Sequence, residues 1–417
     1  MAYAGMSHLG VCSAAAAASK DFNVVGFDPD PALTAGLAAG RTPVFEPGLD
    51  ALLTENASRL TFTSDAEALA ACDLIYIARD VATDDSGISD LAPVDSLIAA
   101  VMTAAKRDAI VVILCQVPPG FTRARTLPGR PLHYQVETLV FGIAVERATQ
   151  PERFIVGLAD PVEGLPAAMA EFLSAFGCPI LPMRLESAEL AKMSINICLA
   201  ASVTVANTLA GIAERTGADW REIVPTLKLD ARIGPKAYLD PGLGLAGGNI
   251  ERDIAALRAI ARDTGAEAGL LASIAASSAY SRDWALRALH ESLATPSPDV
   301  TVALLGLAYK PDTHSIKNSA GVALARHLRG WRLRVHDPLV DAKCLGDQNA
   351  CAFADPLEAV IGADALVLTT PWAIYRTLDP AKLAAAMRGR IVVDPYRLLD
   401  PAACERAGLL HRVLGTK

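Results

Sequence analysis

Along the first 143 residues, short apolar runs alternate with longer stretches whose apolar positions recur at helical spacing, the rhythm of a doubly wound α/β sheet. Ala2-Tyr-Ala4 predicts a very short first strand, followed by Gly5-Met-Ser-His-Leu-Gly10, an alanine-rich helix, and a second strand over Phe22-Asn-Val-Val-Gly-Phe27 that ends at Asp28. Further apolar strands are predicted at Leu74-Ile-Tyr-Ile-Ala78 and Ile110-Val-Val-Ile-Leu114. A long helix is expected from Ser187, with Ser187-Ala-Glu-Leu190 as a capped start, and with its successors through about Arg287 it forms a central all-α region. Ser297-Pro298 marks a boundary, after which the pattern begins again. Val300-Thr-Val-Ala-Leu-Leu-Gly-Leu307 is a strand into a turn, Leu333-Arg-Val-His-Asp337 echoes Val24-Val-Gly-Phe-Asp28, and Ala363-Asp-Ala-Leu-Val-Leu-Thr369 echoes Cys72-Asp-Leu-Ile-Tyr-Ile-Ala78.

The order strand, glycine turn, helix, strand, acid at the amino terminus is that of a Rossmann dinucleotide site. There the helix N-terminus faces a pyrophosphate and the acid receives the ribose hydroxyls. Gly5, Ser7, His8, Leu9 and Gly10 are the candidate phosphate-side residues and Asp28 the ribose acceptor. An acid at that place favours NAD over NADP, because it repels a 2′-phosphate. Ser7 takes the place of the middle glycine, and two glycines with an acid also occur in turns that bind nothing. The later echo makes the fold class α/β, with two Rossmann-like doubly wound domains joined by a central long-helix dimerisation region. The boundaries fall at 1–186, 187–296 and 297–417.

Composition narrows the classes. At 417 residues the chain has room for two or three cores, and its 52% hydrophobic content with 5% aromatics is carried by alanine, which suits closely packed helices. A net charge of −8 argues against general nucleic-acid binding while leaving small anionic ligands open. The eight cysteines are scattered, with no metal-finger spacing, and read as small buried apolar residues in a reducing cytoplasm; no metal is expected. Residues 193–213 carry no charge, which raises the question of a membrane span. Asn196, Ser202, Thr204 and Asn207 would each need a partner in lipid, so a helix buried in a soluble interface is the expectation, with no membrane.

Five glycines and an acid then stand together in Pro241-Gly-Leu-Gly-Leu-Ala-Gly-Gly-Asn-Ile-Glu-Arg-Asp253, as in a backbone loop wrapped around a ligand. Preceded by Asp230-Ala-Arg-Ile-Gly-Pro235, it resembles the active-site segment of the nucleotide-sugar 6-dehydrogenases, the UDP-glucose and GDP-mannose dehydrogenase family, whose pattern is R-I-G-P and then P-G-x-G-Y-G-G-S-C-F-P-K-D. The resemblance runs through the whole chain in order. Phe45-Glu-Pro-Gly-Leu49 matches Y-E-P-G-L, and Gln135-Val-Glu-Thr-Leu-Val-Phe-Gly142 matches N-P-E-F-L-x-E-G in part. Ala188-Glu-Leu-Ala-Lys192 with Asn196 matches A-E-L-x-K-x-x-x-N, and Gly306-Leu-Ala-Tyr-Lys-Pro-Asp-Thr313 matches G-L-A-F-K-P-x-T.

The resemblance implies NAD as cofactor, a nucleotide sugar as substrate, a homodimer in the cytoplasm, and catalytic roles for Glu137, Lys192, Asn196 and Asp253. It also implies substrate contacts from Arg232, Gly244, Gly247, Tyr309, Lys310 and Arg397, the arginine reaching into a neighbouring subunit being Arg232. Lys192 and Asn196 share one helix face, which suits two donors aimed at one oxygen; on residue type alone they also suit a lysine running along a helix and an asparagine at a helix contact. Three of the chain's departures from the pattern fall at the nicotinamide end and the nucleophile. V-G-T-P reads Arg79-Asp-Val-Ala82, and S-T-V-P-x-G-T reads Cys115-Gln-Val-Pro-Pro-Gly-Phe121, so that Gln116 sits at the rebuilt nicotinamide end. The nucleophilic cysteine falls on Asn249, whose delocalised amide lone pair cannot replace a thiolate. Three readings remain open: one two-electron oxidation (or the reverse reduction), a full oxidation to the uronic acid through an aldehyde hydrate, or binding without turnover.

Overall fold

The computed structural model describes residues 1–84, 88–293 and 299–416, and it separates into two compact units, Met1–Ile195 and Asn196–Lys417. The expected boundary at Ser297-Pro298 lies outside the described residues.

The first unit is built on an eight-stranded sheet: β1 Ala2–Ala4, β2 Val24–Phe27, β3 Leu60–Thr63, β4 Leu74–Ile77, β5 Ile110–Ile113, β6 Leu132–Gln135, β7 Phe154–Leu158 and β8 Ile180–Arg184. Their order is β3-β2-β1-β4-β5-β6-β7-β8, parallel throughout except between β6 and β7. Both faces are covered, so the central strands are apolar at consecutive positions. Tyr3, Leu74, Tyr76, Val112 and Val156 enter one core, and Ala2, Ile75, Ile77, Val111 and Ile113 the other. The first helix, His8–Ala18, is almost entirely buried because its side chains are small: Ala14 to Ala18 are at most 2% exposed. Close packing also explains Gly10, where a Cβ would fall 1.8 Å from the Gly5 carbonyl oxygen.

The second unit carries a six-stranded parallel sheet: β9 Thr301–Leu305, β10 Arg332–His336, β11 Ala350–Ala352, β12 Ala365–Leu368, β13 Ile391–Val393 and β14 Leu410–Arg412. Its order is β11-β10-β9-β12-β13-β14, the order of the first six strands over again. The likeness reaches single atoms. Gly321 repeats Gly10, since its Cβ would lie 2.2 Å from the Gly306 carbonyl oxygen. Asp337 repeats Asp28: the Met6 N–H donates to Asp28 Oδ2 at 2.8 Å, and the Leu307 and Ala308 N–H groups to Asp337 Oδ2 at 2.7 and 2.9 Å. All four tryptophans (Trp220, Trp284, Trp331, Trp372) belong to this unit. The Trp220 indole N–H donates to the Leu239 carbonyl and that of Trp372 to Asp337.

The long helix runs Leu185–Thr216, and helices follow at Trp220–Leu229, Asn249–Thr264, Gly269–Arg282 and Trp284–Ser292. It begins two residues before Ser187, which therefore caps nothing: β8 ends at Arg184 and the chain turns straight into the helix. The cysteines also differ from expectation. Cys12, Cys72, Cys115 and Cys404 are buried, whereas Cys198, Cys344 and Cys351 are exposed and Cys178 is intermediate; all eight are free. Leu185–Thr216 is long and apolar enough to cross a membrane, but its polar groups find partners within the protein. Asn207 Oδ1 accepts from the Gly242 N–H at 2.7 Å, and Ser202 and Thr204 bond one turn back along the helix. Val205, Leu209 and Ile212 on the same helix stand exposed.

Candidate active site

In the first unit, the glycine turn sits at the carboxyl end of β1, where ligands of open α/β sheets bind. Gly5 has φ +96°, and Ser7 precedes the first helix without accepting a capping hydrogen bond. Asp28 is 4% exposed at the end of β2; Oδ1 accepts from the Asp30 N–H at 3.0 Å while Oδ2 takes that of Met6. His8 Nε2 lies 3.0 Å from Glu46 Oε2, and its ring stacks on Phe141 at 4.0 Å. Glu46 also accepts from the Gly142 and Ala144 N–H groups, so one buried carboxylate ties the helix start to the 142–144 turn. Gln116, just beyond β5, is buried. Its loop is pinned by Glu189, whose carboxylate accepts from the Gly120 N–H at 2.6 Å and the Thr122 N–H at 2.9 Å. Burial pushes the Glu189 carboxyl above its ordinary range, against the pull of those donors.

Glu137 follows the end of β6, and Lys192 lies two turns into the long helix. The Lys192 ammonium is 2.8 Å from Glu137 Oε1 and donates to the Glu137 carbonyl at 3.0 Å. Glu137 Oε2 accepts from the Leu139 N–H at 3.0 Å.

In the second unit, Asn196, one turn along from Lys192 on the same helix, donates from Nδ2 to Asp253 Oδ2 at 2.6 Å. Asp253 is fully buried, and Arg252, 6% exposed, brings Nε to 3.4 Å from its other oxygen. The glycine loop is held from several sides. The Leu245 N–H donates to Ser278 Oγ beside Gly244, and the Gly247 N–H to the Lys317 carbonyl at 3.0 Å. Gly247 and Gly248 both adopt left-handed φ values, +92° and +89°. A Cβ on Gly247 would lie 2.6 Å from the Tyr309 ring, which leaves no room for it, and one on Gly248 would crowd Lys317 Cγ at 3.0 Å. Asn249 is the exposed first residue of the helix that follows. Glu251 returns its carboxylate to the Gly248 N–H at 3.2 Å and accepts from Asn318 Nδ2 at 3.0 Å.

Tyr309 is half-buried, and burial, reinforced by Glu251, pushes its hydroxyl pKa up. Lys310 Nζ stands 5.8 Å from the Tyr309 ring centre. Arg397 has φ +51° and reaches Asp219 at 3.5 Å, while exposed Arg232 folds back on Asp230 at 2.6 Å. Asn196 and Asp253 are thus brought together, as are Glu137 and Lys192, and Tyr309 with the glycine loop; Arg232 and Arg397 engage carboxylates of their own neighbourhood. Glu46, Glu189, Asn207, Ser278 and Lys317 hold this machinery in shape, and only the motifs around Glu46 and Glu189 hinted at two of them.

Three family models match in succession: the NAD binding domain of the UDP-glucose/GDP-mannose dehydrogenase family over residues 1–175, its central domain over 186–279, and its UDP binding domain over 303–401. The chain belongs to the UDP-glucose/GDP-mannose dehydrogenase family. It is 31% identical to a UDP-glucose 6-dehydrogenase of Pseudomonas aeruginosa, over 99% of this chain and 96% of that one. It is 30% identical to the UDP-glucose 6-dehydrogenase AglM of Haloferax volcanii, over 95% of this chain and 96% of that one. The structure of a UDP-glucose dehydrogenase from Pyrobaculum islandicum superposes with a TM-score of 0.88 at 29% identity, covering 100% of this chain and 97% of the other.

This member of the dehydrogenase family is accordingly an NAD-dependent oxidoreductase of the nucleotide-sugar class, acting on a CH–OH donor. Its residues fit the cofactor. A glycine turn with no room for a Cβ at Gly10, a helix start facing the strand ends, and an acid closing β2 would hold the dinucleotide.

Proposed function

We propose that this dehydrogenase performs one two-electron oxidation of a nucleotide sugar such as a UDP-hexose, giving an aldehyde or ketone, or the reverse reduction. The observation that carries this is Asn249, an exposed amide at the head of the 249–264 helix, where the motif it resembles presents a thiol. A thiol there would add to the aldehyde and set up a second hydride loss; an amide forms no such adduct. NAD, when bound, supplies the hydride acceptor.

The chain's own groups handle the proton and the oxyanion. Asp253, with Asn196 and Arg252 on its two oxygens, takes the alcohol proton directly or through a water held by Lys192. Asn196 and the Lys192 ammonium donate to the developing oxygen anion, and Glu137 holds the ammonium until substrate arrives. Tyr309, Lys310, Arg397, Gly244 and Gly247 line the sugar-nucleotide side, with Arg232 serving a neighbouring subunit. Exposed Val205, Leu209 and Ile212 support a homodimer covering the charge-free helix, and the partners found by Asn196 and Asn207 support a cytoplasmic rather than a membrane setting.

The test is stoichiometry. UDP-sugars are incubated with NAD, NADH is counted per sugar consumed, and a carbonyl reagent is added. One NADH and a trapped carbonyl support the proposal. Two NADH with a carboxylate product defeat it in favour of the hydrate route, and tight sugar-nucleotide binding with no NADH defeats it in favour of binding without turnover.

A further inference from the structure

We infer that Asp80 is a built-in competitor for the pyrophosphate seat of the dinucleotide site and sets how weakly this chain holds NAD. The first turn of a helix offers free backbone N–H groups, and a dinucleotide site uses them to take a phosphate. Here the Leu9 N–H, in the first turn of the first helix, already points at a carboxylate: it donates to Asp80 Oδ2 at 3.4 Å. The arrangement is held by a second contact, since the Asp80 N–H donates to Ser7 Oγ at 2.8 Å.

Ser7 and Asp80 act as a pair. A serine ahead of a helix ordinarily turns its hydroxyl oxygen onto the N–H two or three residues on, but the Ser7 hydroxyl makes no such bond. It accepts from Asp80 and donates to the Ala78 carbonyl at 3.5 Å, which draws the 78–80 segment against the turn and leaves the helix start to the Asp80 carboxylate. Both residues are departures of this chain, a serine where the dinucleotide pattern has its middle glycine and an aspartate where V-G-T-P has glycine. Asp80 has no evident packing purpose, since it is exposed. With Asp28 and Glu46 buried beside the same turn, a third carboxylate adds to a field that disfavours an incoming anion.

The inference depends on the family's cofactor, not on how many hydrides are transferred, and binding alone tests it. NAD and adenosine are titrated calorimetrically into the unmodified full-length protein and into Asp80→Asn and Asp80→Gly. Removing one carboxylate from an exposed anion seat is expected to tighten NAD by roughly three- to tenfold and to leave adenosine, which has no phosphate, unchanged. The gap between the proteins should narrow as sodium chloride is raised, because charge effects at an exposed site are screened. NAD affinity that is unchanged or lower in both variants, adenosine affinity that rises as much as that of NAD, or a gap indifferent to salt would each overturn it.

Discussion

Replacing Lys192 by methionine keeps the apolar stem of the side chain and removes its charged end, leaving the Glu137 carboxylate in place without its cation. The pair is 2.8 Å apart, with side chains only 12% and 15% exposed, and Lys192 also donates to the Glu137 carbonyl. An exposed ion pair contributes about 0.2–1 kcal/mol and losing one partner of a fully buried pair costs about 3–5 kcal/mol. This pair lies between the two, and Glu137 Oε2 keeps the Leu139 N–H, so Lys192→Met should cost about 2–3 kcal/mol. Glu137→Gln keeps an amide oxygen for the ammonium and should cost about 1 kcal/mol, with a coupling between the two of about 1–2 kcal/mol in the double-mutant cycle. Both residues belong to the first unit, so the readout is hydrogen exchange of backbone amides in 132–139 and 185–195, resolved by mass spectrometry. A coupling under about 0.3 kcal/mol would refute the reasoning, because it would mean that the ammonium is not held by Glu137 in the resting protein.

Gly247→Ala should destabilise the second unit by about 2–3 kcal/mol, from left-handed backbone strain together with a methyl driven into the Tyr309 ring. Tyr309→Ala in the same chain should recover the ring part and not the backbone part, and equal melts for Gly247→Ala and the unmodified protein would contradict this. His133 is buried and its pKa is pushed down to about 4. A depressed folded pKa means that the neutral ring contributes fully above the unfolded value of ~6.5 and that this contribution is lost as pH falls through about 4. The first unit should therefore lose ~3 kcal/mol over that window relative to His133→Phe, and parallel acid denaturation curves for the two proteins would rule it out.

Much of the fold was legible because it follows from local pattern. The apolar runs at Leu74 and Ile110 can only be strands covered on both faces, and the echo of Asp28 in Asp337 is an echo in structure, each carboxylate closing a glycine turn. The glycine loop was legible too, since only glycine tolerates both the left-handed φ and the ring at position 247. What escaped was set by partners distant in sequence. The Glu189 hold on Gly120 spans 69 residues, the Asp80 contact with Leu9 spans 71, and the Asn207 contact with Gly242 spans 35. The start of the long helix was misread for a different reason: a serine followed by Glu189 imitates a capping signal, yet that glutamate points at the 120–122 backbone rather than at its own helix end.

The placement of the tryptophans makes the molecule its own optical instrument. With every indole in the 196–417 unit, Trp220 and Trp372 in the hydrogen bonds given above and Trp284 donating to Glu214 at 3.0 Å, ultraviolet emission excited at the red edge reports that unit and is blind to the other. The dinucleotide-binding half holds no indole and three of the eight tyrosines, Tyr3, Tyr76 and Tyr134, with Tyr3 and Tyr76 stacked at 5.1 Å in its core. Melting followed by indole emission, set beside melting followed by hydrogen exchange in 1–195, can therefore report whether the two halves of this duplicated architecture melt together or in turn.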